Sequence, residues 1–367
     1  MSSFEIPKHT RAIFEEIVTR AGGQLEDHYQ ARRAGLLAEA EAAIRQKGMM
    51  APVALIQQEV QSRIGDGTDP VIYRNALIAR FALDLPQTVA ALSLPASALA
   101  LYPDLARRLA ETIPAEFPDY EADSLARDVA HVFGFFIPGA AMDIDRFGRL
   151  DPRMIASAAV RCRQLTAPAR YVWGGMWRPF LEFHTDSRHL TGFNPAGFHA
   201  TYLQVADMLR CNPALAGLFI SSWFHDPIAA EISPRLAYLQ GVPRAGGAFF
   251  IRNNTGELHV KRATATSATR RQLVADGKYV PTCYTMIWPR KKLIAWADGI
   301  NKGRRDAGGL AAPAVAPSGA MSLASDAHFH RPSLKSTPWP LQKGLKRGEK
   351  PAVAGAMPDQ LAPEMPA

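Results

Sequence analysis

The hydrophobic pattern changes period partway along this 367-residue chain, and that change limits the folds open to it. From about Lys8 to Phe135 apolar residues recur at spacings of three and four, as at Ile13 and Ile17 and again at Leu36, Leu37 and Ala40. This is the repeat of amphipathic helices. Gly22-Gly23, Gly65-Asp-Gly67, Pro86, Pro103 and Pro118 punctuate the stretch into about six or seven helices of ordinary length. Within it, the Ala/Glu/Arg-rich run from Gln24 to Gln46 is too short for sustained heptads and reads as a surface helix.

From about Trp173 to Asp298 short apolar runs alternate with helical patterns, the signature of an α/β layer. The runs Arg178–His184, Gly217–Trp223, Ala248–Arg252 and Cys283–Trp288 are predicted strands. Asn194 as N-cap and Pro195 at the first helical position open a helix that buries Phe198, Tyr202, Val205, Ala206 and Leu209 before Asn212-Pro213 stops it. A second helix starts at Asp226-Pro227 and restarts at Ser233-Pro234, and a third runs from Ser267 to Asp276 with Gly277 as its stop. The expected fold class is therefore α/β (α+β): a helical domain over residues 1–140, a mixed-sheet domain with flanking helices over 141–302, and a Pro/Ala-rich tail over 303–367. Residues 307–367 hold nine of the 28 prolines and show no periodicity, so the tail is expected to be disordered.

Composition narrows the function classes. With 47% hydrophobic and 21% charged residues the chain can bury a sizeable core. A net charge of +8 favours anionic partners but is too small to point to nucleic acid, and no specific nucleic-acid binding is expected. Cys162, Cys211 and Cys283 are odd in number and form no CxxC pattern, which argues against a disulfide framework or structural zinc and for a reducing, cytoplasmic setting. The polar and acidic start lacks the shape of a signal peptide, and the most apolar stretch, from Val132, ends at Pro138, too short to span a bilayer. The tryptophans Trp173, Trp177, Trp288 and Trp296 read as core and sheet-edge packing, and Pro289-Arg-Lys-Lys292 as a solvated helix start. The patterns of nucleophile-elbow hydrolases, P-loop proteins and zinc proteases are absent from the sequence.

Three constellations could carry chemistry. His184-Thr-Asp186 ends a predicted strand and His259 follows downstream, with Arg270 and Arg271 beyond it. Two histidines and a carboxylate can occupy one face of Fe(II), and an arginine can hold the distal carboxylate of a 2-oxo acid. In this the chain resembles the 2-oxoglutarate-dependent oxygenases, which would imply Fe(II) and 2-oxoglutarate. Their jelly roll, however, needs about eight strands, and a helix follows Asp186 here. The second constellation is Ser221-Ser-Trp-Phe-His-Asp226, where His225 could serve as a general base oriented by Asp226. His184, Asp186, His225 and Asp226 end two strands that could be neighbours, so a shared cleft is expected. The third is Thr264-Ala-Thr266-Ser267-Ala-Thr269-Arg270-Arg271, in which hydroxyls, free amides at a helix start and guanidinium groups could hold an anion.

The order strand, helix, strand, helix, strand, short helix, strand from Arg178 to Trp288 resembles the core of the GCN5-related N-acetyltransferase (GNAT) superfamily. The nearest local likeness is Ser267 to Trp288, where Gly277 and Tyr279 stand near the family's Gly-Phe. The likeness covers about 110 of the 367 residues. The family's Gln/Arg-x-x-Gly-x-Gly/Ala loop is replaced by Phe224-His-Asp-Pro-Ile-Ala-Ala-Glu231. The resemblance implies an acyltransferase that uses acyl-CoA or an acyl carrier protein as donor and an amine or similar group as acceptor, and that needs no metal. His184 or His225 would take the acceptor's proton, Asp186 or Asp226 would orient the histidine, and Arg235, Thr266, Ser267, Thr269, Arg270 and Arg271 would hold phosphate groups. A non-catalytic scaffold that binds an anionic ligand is the reading from a different class.

Overall fold

A computed structural model describes residues 4–63, 69–113, 122–162, 164–186 and 188–306. Eight helices come first: α1 (Lys8–Arg20), α2 (Gln24–Lys47), α3 (Ala51–Gln61), α4 (Pro70–Leu83), α5 (Leu85–Ala90), α6 (Ala96–Leu99), α7 (Tyr102–Thr112) and α8 (Ala122–Val132). Strands β1 (Phe136–Pro138) and β2 (Asp143–Gly148) follow, then α9 (Pro152–Arg161), α10 (Thr166–Trp173) and β3 (Phe180–His184). The remainder is α11 (Pro195–Cys211), β4 (Gly217–Ser222), a 3₁₀ turn at Trp223–His225, α12 (Pro227–Ile232), a second 3₁₀ turn at Pro234–Leu236, α13 (Tyr238–Ala245), β5 (Phe249–Arg252), α14 (Glu257–Thr264), α15 (Ala268–Ala275), β6 (Tyr284–Pro289) and α16 (Arg290–Asp306). The expected tail lies outside the described residues from 307 onward, and the Gly65-Asp-Gly67 and Pro118 breaks lie outside them too.

Four helices begin with an Asx-Pro pair. Asp69 accepts from the amides of Val71 and Ile72, Asp151 from Arg153, Asn194 from Gly197 and Asp226 from Ile228, each followed by proline at the first helical position. The side-chain oxygen satisfies an orphan amide, and proline sits where no amide partner is needed.

The six strands form one mixed sheet in the order β1-β2-β3-β4-β6-β5. All neighbouring pairs are antiparallel except β3 and β4. The four strands expected from the sequence are present. The two that were not expected, β1 and β2, form a hairpin that straddles residues 140 and 141, so the helical segment supplies the sheet's edge strand and the expected boundary falls inside a paired element. A buried hydrophobic cluster continues across that position, from Phe4 in the first helical region to Ala297 in α16.

Because side chains alternate across a strand, each face has its own partners. Leu181, Leu218, Ile220, Met286 and Trp288 point to the face covered by α11, α13 and α16. Phe180, Phe219, Ile251 and Ile287 point to the other face, where Ile155 and Ala158 of α9 and Ala167 of α10 cover them. Trp288 is fully buried and packs on Tyr202 and Trp296. Trp173 and Trp177 depart from the expected packing, being 87% and 63% exposed: α10 meets the sheet through Ala167 and the half-buried Tyr171, which leaves Trp173 outside, and Trp177 lies in the turn that follows the helix.

Candidate functional site

β2 and β3 bring together a polar group that the linear sequence does not display. In their register Asp143 lies opposite His184, and Asp145 opposite Glu182. All four therefore project from the sheet face over which α8 packs. Two glycines permit this approach. Gly134 has φ +69°, the left-handed conformation that ends α8 and turns the chain into β1. Gly148 sits where a Cβ would lie 2.7 Å from the Cβ of Glu182 and 2.9 Å from the Phe219 ring, so only glycine lets β2 close on β3 there.

His184 is the centre of the group. Its ring stacks on Phe136 at 5.0 Å between centroids. Its Nε2 faces Asp145 Oδ2 at 3.7 Å and Glu182 Oε2 at 3.9 Å, too far for hydrogen bonds, and this buried nitrogen has no other partner among the described residues. Burial by itself would lower the imidazole's affinity for a proton, but the two facing carboxylates outweigh it and the histidine titrates above its ordinary value. Burial raises Glu182, with Asp145 adding to the effect. Asp145 also accepts the amide of Phe147 at 2.7 Å, which fixes its orientation.

Around this centre lies a buried ionic frame. Asp143 is enclosed by His131 at 3.1 Å and Arg127 at 3.4 Å, both on α8, and despite burial these hold its carboxyl far below the usual range. Asp186 is buried, but Arg188 grips it at 2.8 Å and reaches onward to Asp128 at 2.9 Å, making a carboxylate–guanidinium–carboxylate chain between the β3 end and α8. Although burial opposes ionisation, Arg188 lowers the Asp186 pKa.

The structure corrects several expectations. Asp186 is not a partner of His184, because β3 ends at residue 184 and the alternation that would align the two stops with it. Among the described residues, the group of histidine, cysteine and carboxylate side chains able to hold a metal is Asp145, Glu182 and His184, whose ligand atoms lie within 4.8 Å of one another. His259 is outside it, on α14. The Fe(II) triad of His184, Asp186 and His259 is therefore not assembled. His225 and Asp226 do not form a dyad: Asp226 spends its two oxygens on the amides of Ile228 and Thr282 at 3.1 Å each, as a helix cap that also ties down the loop before β6. His225 is 1% exposed between Phe224 and Phe250, and burial pushes it down to about 3.

The expected anion cradle is also spent internally. Ser267 caps α15 by accepting the Arg270 amide at 3.3 Å. The Arg270 guanidinium is buried over the Trp223 ring and donates to the carbonyl of Ala263 and the hydroxyl of Ser233. Arg271 donates to the carbonyls of Thr264 and Ala265. Both arginines thus satisfy carbonyls at the end of α14, Arg270 from a buried position and Arg271 from an exposed one. Thr266, Thr269 and Arg235 are exposed.

β3 and β4 pair only at Leu181↔Leu218 and Glu182↔Phe219. Past those rungs β3 and β4 run on to His184 and Ser222 paired to β2 and β6 but not to each other, so the two strands part at their carboxyl ends. His184 stands on one lip. On the other, Ser221 is exposed and shares a hydrogen bond of 2.8 Å with Thr285 of β6. Ser221 projects from the same face as Phe219, and hence from the same face as Glu182 and His184. Compared with family models, curated proteins and solved structures, the chain matches none.

Proposed function

We propose that the chain is a group-transfer enzyme that moves an acyl group from a thioester carrier to an amine or similar acceptor, the reactants meeting where β3 and β4 part. The observation that carries this reading is that separation. In open α/β sheets ligands sit outside the carboxyl ends of strands where the topology switches, and the one parallel pair among the described strands opens there beside a partly buried imidazole. From β3 to β6 the strands alternate with one or two helices, an alternation compatible with the order on which the GNAT resemblance rests.

In this reading the acceptor nitrogen attacks the thioester carbonyl, a C–N bond forms and the C–S bond breaks. The acceptor's proton passes to His184, supported by Asp145 and Glu182, and the leaving thiolate takes up a proton. The donor is acyl-CoA or an acyl carrier protein. Asp226 caps the helix that follows β4, where a coenzyme's phosphates would otherwise approach free amides, so its carboxylate favours the carrier protein. The test is release of free thiol from each donor in the presence of amine acceptors. His184→Gln, which keeps most of the side chain's bulk, is expected to lower turnover by at least about a hundredfold, with its folding checked by a thermal melt under the assay conditions. Absence of acceptor-dependent thiol release with both donors would end the reading.

A second reading rests on the same three side chains. A buried carboxylate, Asp145, and a partly buried one, Glu182, face a nitrogen with no hydrogen-bond partner among the described residues, a net charge and ligand spacing suited to a divalent cation. It predicts one equivalent of Mn(II) or Zn(II) bound by the wild type and none by Asp145→Asn, measured by equilibrium dialysis. Metal uptake without thiol release would replace the first reading with this one.

A further inference from the structure

A cavity of about 450 Å³ lies on the sheet face opposite His184, between the end of α2, the α5–α6 link and the C-terminal end of α11. Leu181, which lines it, and His184 alternate to opposite sides of β3, so the cavity is separate from the crevice described above. Its size falls in the range of small-molecule sites.

Its chemistry is two-sided. Leu92 and Leu94, backed by Met208 and Leu215, make an apolar wall, while Arg45 and Arg146 supply two cations and no carboxylate is among the described lining residues. Both guanidinium groups lie against one ring, Phe147, at 4.2 and 4.6 Å from its centroid, which holds two like charges at one end of the cavity. Arg45 has an acidic partner, Glu41, at 2.6 Å, but that pair is about 40% exposed on both sides and weakly held. Around the end of α11 two further cations take up carbonyls that would otherwise favour a positive ligand: Leu209 and Asn212 accept from Arg290, and Pro213 and Ala214 from Arg178. The wall is apolar and the polar end is positive.

We propose that this cavity binds an amphiphilic anion, its carboxylate or phosphate head on Arg45 and Arg146 and its unbranched alkyl tail along the leucine wall. An apolar ligand alone would leave two cations desolvated beside it, and a small anion alone would leave the wall uncovered. The site goes beyond the transfer reaction proposed above and does not depend on it.

Isothermal titration of the full chain with decanoate, decyl phosphate, butyrate and decyltrimethylammonium tests the proposal. Decanoate or decyl phosphate is expected to bind with one-to-one stoichiometry, and the preferred one of the two identifies the head group. Butyrate should bind at least a hundredfold more weakly, and the cationic amphiphile at least tenfold more weakly. Arg146→Gln should weaken the preferred anion at least tenfold, and Leu94→Trp, which fills the cavity, should abolish binding. Should the tryptophan variant fail to give the wild-type circular dichroism melt, Arg146→Gln and Arg45→Gln decide. Equal binding of anionic and cationic amphiphiles, no binding of any, or binding unmoved by both arginine substitutions overturns the proposal.

Discussion

His225 ties the stability of the fold to pH. It is buried in its neutral form, with its affinity for a proton pushed down to about 3 by burial, whereas the unfolded chain presents an ordinary histidine titrating near 6.5. A folded value below the unfolded one gives stability that is fully present above about pH 6.5 and is lost as pH falls toward the folded value. The loss runs at up to about 1.4 kcal/mol per pH unit. Denaturant midpoints between pH 7.5 and 4.5 should fall accordingly, and His225→Phe should flatten the slope between pH 6.5 and 4.5. An unchanged slope in the variant would assign the dependence to other groups. His184 has the opposite sign, since its folded value is raised: its contribution is present below about 6.5 and is lost as pH rises through the folded value. The sequence marked both histidines as special, yet their environments differ in kind. One faces two carboxylates and the other is surrounded by aromatic rings, a distinction made by the register of β2 against β3 and by the packing of β5.

At the scale of elements, what was legible follows from local chemistry. The Asn194-Pro195 and Asp226-Pro227 helix starts, and the Gly277 stop after α15, are dictated by caps within a few residues, and all are present. The strands β3, β4, β5 and β6 show apolar runs because both sheet faces are covered there. Strand β2 was hidden for the converse reason. Its Asp143-Ile-Asp-Arg-Phe-Gly148 run puts carboxylates on the face toward α8, where an ionic frame replaces an apolar core. Asp145 and Glu182 were missed with it, since their roles exist only through cross-strand pairing. Gly148→Ala tests that pairing. The added methyl would press on Glu182 and Phe219, so a loss of about 1–3 kcal/mol is expected, read by denaturant unfolding. Thiol release, where present, should fall together with stability if β2 positions the carboxylates. A variant as stable as the wild type would show that β2 has room to shift.

For the whole molecule, the hairpin across residues 140 and 141 makes the helical and sheet regions interdependent. A chain of residues 141–306 lacks β1 and α8, leaving Asp143 without Arg127 and His131, and β2 as an open edge. It is expected to aggregate or to lack a cooperative melt, whereas residues 4–306 should melt in one transition. A cooperative, monomeric 141–306 would show that the sheet region is self-sufficient. The strand order also sets a schedule for biosynthesis. β6 enters last yet lies between β4 and β5, so as the polypeptide leaves the ribosome β4 waits for about sixty residues with one side of its backbone unsatisfied. The β4–β6–β5 side of the sheet is therefore the last part that translation can complete, and β4 is the segment that holdase chaperones have most reason to shield.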